Sequence, residues 1–182
     1  MATVMLNGTP ISVGGRFPRT GDTASSFMLV DVQLQDVPLS KFWGRRKVIA
    51  VVPSVDAAIG LTIARSLESL APSWENTVVL LVSVDTPYAM QRLLHQEDFR
   101  NFQLLSTLRG RDFHKDYGVM ITDIPLSGLM ATALIALDVD DTVRYAELVQ
   151  DINSEPNYEA MIQALIPPPP EPLLEPGITP VP

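Results

Sequence analysis

The chain has 182 residues, 46% hydrophobic and 19% charged, which suits one globular domain with an ordinary core. Its formal net charge of −8, from 21 acidic and 13 basic residues, argues against a nucleic-acid or anionic-membrane surface. It holds no cysteine, which excludes disulfides, thiolate metal sites and any cysteine nucleophile of its own.

From the N-terminus, "TVMLNGTPISV" (3–13) places two short apolar stretches around Asn7-Gly8, a strong hairpin signal because both residues accept positive φ. This opening has no basic segment followed by an apolar one, so no secretory signal is read in it. "GGRFPRTGDTASS" is a loop by composition. "FMLVDVQLQDVPLSKF" (27–42) alternates for part of its length and turns near Gln35-Asp36. Two short basic clusters, Gly44-Arg45-Arg46-Lys47 and Arg109-Gly110-Arg111, read as turns beside strands.

An α/β pattern follows. "KVIAVVPS" (47–54) is a buried strand by its β-branched content, and Ile59, Ile63, Leu67 and Leu70 then form one apolar helical stripe. "NTVVLLVSVD" (76–85) is a second buried strand. "TPYAMQRLLHQEDF" (86–99) is a helix with proline in its first turn. "FQLLST" (102–107) reads as a short strand and "DFHKDYGV" as a helical turn. "MATALIALD" and "TVRYAELV" pair antiparallel across Val139-Asp140-Asp141, and Tyr158, Met161, Ile162 and Leu165 mark the last helix. A buried sheet, mixed and flanked by helices on both faces, with a C-terminal hairpin plus helix, is the thioredoxin-like plan.

The domain is expected to end at Ile166. Beyond it stands "PPPPEPLLEPGITPVP" (167–182), which holds eight of the chain's 16 prolines. Proline lacks the amide donor and fixes φ, so this tail is expected as polyproline II or disordered chain. Either it is a solvated tail or it is a docking strip with Leu173, Leu174, Ile178 and Val181 as apolar anchors. The longest apolar run, "LMATALIAL" (129–137), is too short to span a bilayer, so a soluble, cytoplasmic protein is expected. His95 and His114 show no spaced partner ligands. They read as surface helix residues, and no cofactor or metal is expected.

Taken together, "NGTPISV", "FMLVDVQLQDVPLSKFWGRRKV", "PSVD", Arg65, "NTVVLLVSVDTPYAMQR", "LSTLR", "YGV", "DIPLSGL" and "ELVQDINSEPNYEAMIQAL" resemble the atypical two-cysteine thiol peroxidases, a branch of the peroxiredoxins. The resemblance runs from about Val4 to Ile166. It implies a thioredoxin-like (peroxiredoxin) fold with an N-terminal β-hairpin, and a homodimer packed around the active-site loops. It also implies a motif of proline, threonine and a peroxidatic cysteine at Pro53, Ala57 and Gly60, a resolving cysteine at Leu94 and an arginine at Thr132. Of that set only Pro53 is present. The expectation that follows is a chain that is not an enzyme but a structural or interaction subunit with a protein partner.

Two further readings stay beside it. A small ligand could occupy the former peroxide pocket, rimmed by Pro53, Asp56, Thr62 and Thr132, although Asp56 reads better as a helix cap. A non-thiol chemistry could be built on His95, Glu97 and Asp98, three polar residues that a helix would point in different directions. Gly60 is a cost of roughly 1 kcal/mol against alanine inside a helix, and suggests close approach of another backbone.

Overall fold

The computed structural model describes residues 2–165. Strands β1 (Ala2–Leu6) and β2 (Thr9–Gly14) form the N-terminal hairpin, with Asn7 at φ 49° and Gly8 at φ 81° as its two turn residues. Positive φ at both central positions matches the twist of the flanking strands, which is why Asn-Gly was legible as a turn. A two-residue strand, β8 (Met120–Ile121), pairs antiparallel with β2 and widens the hairpin to three strands. The sequence pattern did not reveal β8, because two residues carry no periodicity.

The main sheet has seven strands in the order β10-β9-β5-β6-β7-β3-β4. Its centre is β5 (Arg46–Val51), β6 (Thr77–Ser83) and β7 (Gln103–Ser106), which run parallel. They are joined by α1 (Ala58–Leu70) and α2 (Pro87–Glu97), the crossover connections that parallel neighbours require. The antiparallel members are β3 (Met28–Asp31) with β4 (Asp36–Pro38) at one edge, and β9 (Ala133–Leu137) with β10 (Val143–Leu148) at the other. The turn between β3 and β4 starts at Asp31, whose carboxylate accepts from the amides of Gln33 and Gln35, slightly before the position expected.

Period-2 alternation divides the core between the two faces of the sheet. Val48, Ala50, Val79 and Leu81 meet Ile59, Ile63 and Leu67 of α1, Met90 and Leu93 of α2, and Met161 and Leu165 of α4 (Tyr158–Leu165). Ile49, Val51, Leu80 and Val82 meet Phe27, Leu39, Phe42, and Phe113 and Tyr117 in and after the short α3 (Phe113–Asp116). Phe113 and Tyr117 stack with ring centroids 4.3 Å apart. One face therefore carries the long helices, while the other is sealed by loops and two short helical turns, Leu39–Phe42 and α3.

Of the two readings of Lys47, as the end of the basic turn 44–47 and as the start of the buried strand 47–54, the structure takes the second. Only Gly44 and Arg45 are in the turn, whereas Lys47 is the second residue of β5 and fully buried. Its side chain lies on the same face as Ile49 and Val51 and pairs with the carboxylate of Asp141, in the β9–β10 turn. Burying a charge without a partner is costly, and Asp141 supplies that partner.

Candidate functional site

The parallel strands β5 and β6 end beside one another, and the chain leaves β5 through "PSVDAA" into α1. Pro53 is buried at the start of this turn. Asp85, just past β6, clamps it. The Asp85 carboxylate accepts from the Ser54 hydroxyl at 2.9 Å, the Val55 amide at 2.7 Å and the Ser83 hydroxyl at 2.6 Å. The Ser106 hydroxyl donates to the Asp85 carbonyl at 2.6 Å, which carries the network on to β7. These groups were missed in the sequence. The signal available was a run of polar residues, Ser83, Asp85, Ser106 and Thr107, at the ends of otherwise apolar strands.

Asp56 does not cap α1, contrary to expectation. The cap residue is Ala57, with no side-chain hydrogen bond to the helix, and Asp56 instead accepts from the Arg92 guanidinium at 2.8 and 3.0 Å. The turn leading into α1 is held by Asp85, through Ser54 and Val55, and by the Asp56–Arg92 pair. A second pair joins the same helices further along: Arg65 donates to both oxygens of Glu97, at 2.9 and 3.0 Å. That bidentate contact holds the Glu97 carboxyl below the usual carboxylate range.

The four positions that the resemblance assigns to peroxide chemistry are each taken up by packing. Gly60 is buried in α1, and the Ser54 carbonyl oxygen stands 2.0 Å from where its Cβ would be. The close approach expected of this glycine is made by the chain's own backbone. Ala57 is half-buried and packs, with Leu94 of α2, against the α1-side core. Thr132 is fully buried, and its hydroxyl donates to the Ile152 carbonyl at 2.7 Å.

The rim suggested for a small-molecule pocket is dispersed. Thr132 is enclosed, Asp56 is engaged by Arg92, and the Thr62 hydroxyl donates back to the Ala58 carbonyl one helical turn earlier, at 2.9 Å. Nor do His95, Glu97 and Asp98 converge. Glu97 is held by Arg65 and Asp98 by Arg100, while His95 is exposed. His114 is more than a surface residue: it is half-buried, its Nε2 lies 2.9 Å from the Thr107 hydroxyl, and burial pushes its pKa down. Among the described residues, no group of three or more His, Asp and Glu is placed to hold a metal ion. No described helix is long and apolar enough to cross a membrane. The proposed anchors Leu173, Leu174, Ile178 and Val181 lie outside the described residues.

A mixed sheet with a central parallel βαβαβ unit, an N-terminal hairpin and a strand-to-helix turn after β5 defines a thioredoxin-like protein of the peroxiredoxin kind. The family model described as Redoxin matches residues 19–162, and the chain belongs to that family. Two of its curated relatives are named thiol peroxidase. One from Corynebacterium glutamicum is 36% identical over 91% of this chain and 99% of its own length, and one from Streptococcus pneumoniae is 40% identical over 88% and 97%. Among solved structures, the thiol peroxidase from Chromobacterium violaceum superposes with a TM-score of 0.84 at 38% identity, covering 88% of this chain and 93% of that one. A peroxiredoxin-like protein from Aquifex aeolicus gives 0.83 at 32%, covering 88% and 94%.

These relatives correct one expectation. The chain was read as no enzyme because the cysteines are missing, yet proteins 36 and 40% identical over most of its length carry an enzyme's name. Absence of one side-chain type does not settle activity against that relationship.

Proposed function

We propose that this redoxin-family chain serves as a structural or interaction subunit that packs through the end of the sheet where α1 begins, against a second copy of itself. The observation that carries the reading is the Ser54 carbonyl seated where the Gly60 Cβ would be. The turn is filled by its own backbone and clamped by Asp85, so this end of the sheet offers a preformed surface.

Apolar side chains are exposed on α2 and on the loops that follow β7 and β8. Tyr88, in the first turn of α2, is 70% exposed. Leu108, just after β7, is 44% exposed, and Ile124, in the loop after β8, is 87% exposed. Leu108 borders a hollow of about 500 Å³ with Val84, Met120 and Gly128, which brings the β6 and β7 ends and the β8–β9 loop to one place. Large exposed apolar and aromatic side chains of this kind serve as anchors when buried by a partner. Light scattering on the full chain, from low to high micromolar concentration, tests the reading. A mass of twice the 20.0 kDa chain, falling to the monomer in a Tyr88→Lys, Ile124→Lys variant, is expected. A 20.0 kDa particle throughout the range would overturn it.

A further inference from the structure

The hollow of about 500 Å³ at the β6 and β7 ends holds more than the apolar groups that border it. Its volume falls within the range of about 300–1,000 Å³ found for clefts that take small organic molecules. Pro53, Ala57, Gly60 and Thr132, the positions that the resemblance assigns to peroxide chemistry, do not line it.

The lining divides by chemistry. Val84, Leu108 and Met120 give it an apolar wall, drawn from three separate stretches of the chain. Arg111, Asp112, His114 and Lys115 come from one short stretch that runs into α3. There the His114 amide donates to the Arg111 carbonyl at 3.3 Å and the Asp116 amide to the Asp112 carbonyl at 2.9 Å, so the chain already turns helically at 111. Residues four apart on such a turn are neighbours, which sets Arg111 and Lys115 side by side. The more enclosed polar pair is His114, half-buried, and Thr107, 5% exposed, with Nε2 and hydroxyl 2.9 Å apart.

Among the described residues, neither Arg111 nor Lys115 has a carboxylate within ion-pair distance. Asp112 lines the same hollow. The other carboxylates of the adjoining segments are engaged elsewhere: Asp85 accepts from Ser54, Val55 and Ser83, and Asp123 from the Ser12 amide. Asp116 lines a separate depression with Arg16 and Tyr117. Two cations therefore face one carboxylate, an excess of one positive charge while His114 is neutral.

We infer that this hollow binds a small organic monocarboxylate, with its anion between Arg111 and Lys115 and its apolar body against Val84, Leu108 and Met120. One negative charge matches the excess of the lining. A neutral ligand would leave both cations unanswered, and an ammonium would meet two like charges for one opposite. The ligand is held by one chain's own residues, so the inference does not rest on the self-association proposed above, although Leu108 belongs to both.

His114 makes the binding visible. Burial and then the Arg111 charge hold its pKa below the ordinary value. The charged groups that share the hollow with it are Arg111, Asp112 and Lys115 of its own segment, and the segments across the hollow bring Val84, Thr107, Leu108 and Met120, none of them charged. A carboxylate seated beside the ring favours the imidazolium, so binding raises that pKa, and by reciprocity the ligand binds more tightly as the pH falls through it.

The full chain has two histidines, so proton NMR reads His114 with His95 as an internal control. Hexanoate, titrated from micromolar to tens of millimolar, is the probe, with hexylamine and inorganic phosphate beside it. The expected result is a saturable shift of the His114 ring resonances, with His95 unmoved and the His114 pKa raised. Affinity should grow roughly tenfold from butyrate to hexanoate, as two more methylenes leave water. Arg111→Gln combined with Lys115→Gln should weaken binding roughly tenfold or more. Both side chains are exposed, and an unchanged urea midpoint shows that the variant keeps its fold. An unmoved His114, an equal response to phosphate or hexylamine, or binding indifferent to the double substitution overturns the inference. The same titration in the Tyr88→Lys, Ile124→Lys variant separates it from self-association. Binding retained there supports a site within one chain, whereas binding lost there would put the site between copies and overturn the inference.

Discussion

At the residue scale, Gly60 shows how far local propensity and tertiary packing can disagree. Inside a helix, alanine is favoured over glycine by roughly 1 kcal/mol, so a Gly60→Ala change read from the helix alone should stabilise the fold. The Ser54 carbonyl 2.0 Å from the modified position reverses the sign, since that contact is backbone and cannot swing aside. Gly60→Ala is expected to destabilise by about 1–3 kcal/mol, as overpacked core substitutions do. Urea unfolding would show this as a lower midpoint at unchanged slope, and a raised midpoint would mean that the turn relaxes freely. The sequence suggested close approach at Gly60 from residue type. It could not say that the approaching group was six residues away in the same chain, because a turn's path is set by the Asp85 clamp. Asp56 was misjudged for a related reason: an aspartate just before a helix usually caps it, but Arg92 of α2 offers two charge-assisted hydrogen bonds instead.

At the scale of elements, the apolar patterning of β5, β6, α1 and α2 was strong enough to read directly, since continuous β-branched runs and i, i+4 stripes reflect burial on two faces and on one. Lys47 stood both at the end of the basic cluster 44–47 and at the start of the strand read over 47–54. In the structure it is the point at which β5 is tied to the β9–β10 turn, through Asp141. Tyr117 lies on the same side of the sheet, and its hydroxyl is pushed above its ordinary range by burial and then by the nearby Asp141 charge. Removing one partner of such a pair leaves an uncompensated buried charge. Asp141→Ala alone should therefore cost about 3–5 kcal/mol, whereas Lys47→Met combined with Asp141→Ala should cost markedly less. The single and double variants compared by chemical denaturation test this. Equal losses would mean that the buried charge is not what the single change exposes. The exposed Arg65–Glu97 and Arg92–Asp56 pairs are a different matter, and solvent screening limits each to little stability. Their role is geometric, fixing α1 against α2.

At the scale of the molecule, self-association through the α1 end couples stability to concentration. If the dimer forms only from folded chains, its thermal midpoint rises with protein concentration. A midpoint that is constant from low to high micromolar would separate folding from association and count against the proposed surface. The order of strands and helices was already written in the chain, because periodicity reports which residues face a core wherever an element is long enough to repeat it. So were the missing thiols and the kinship with thiol peroxidases, which rest on residue identity. Only the tertiary structure decided that β8 completes the hairpin sheet, that Lys47 is buried against Asp141, that Asp85 closes the turn after β5, and that Tyr88 and Ile124 stand exposed. Each of those depends on groups far apart in sequence meeting in space, and hydrogen bonds, ion pairs and exposure are properties of that meeting.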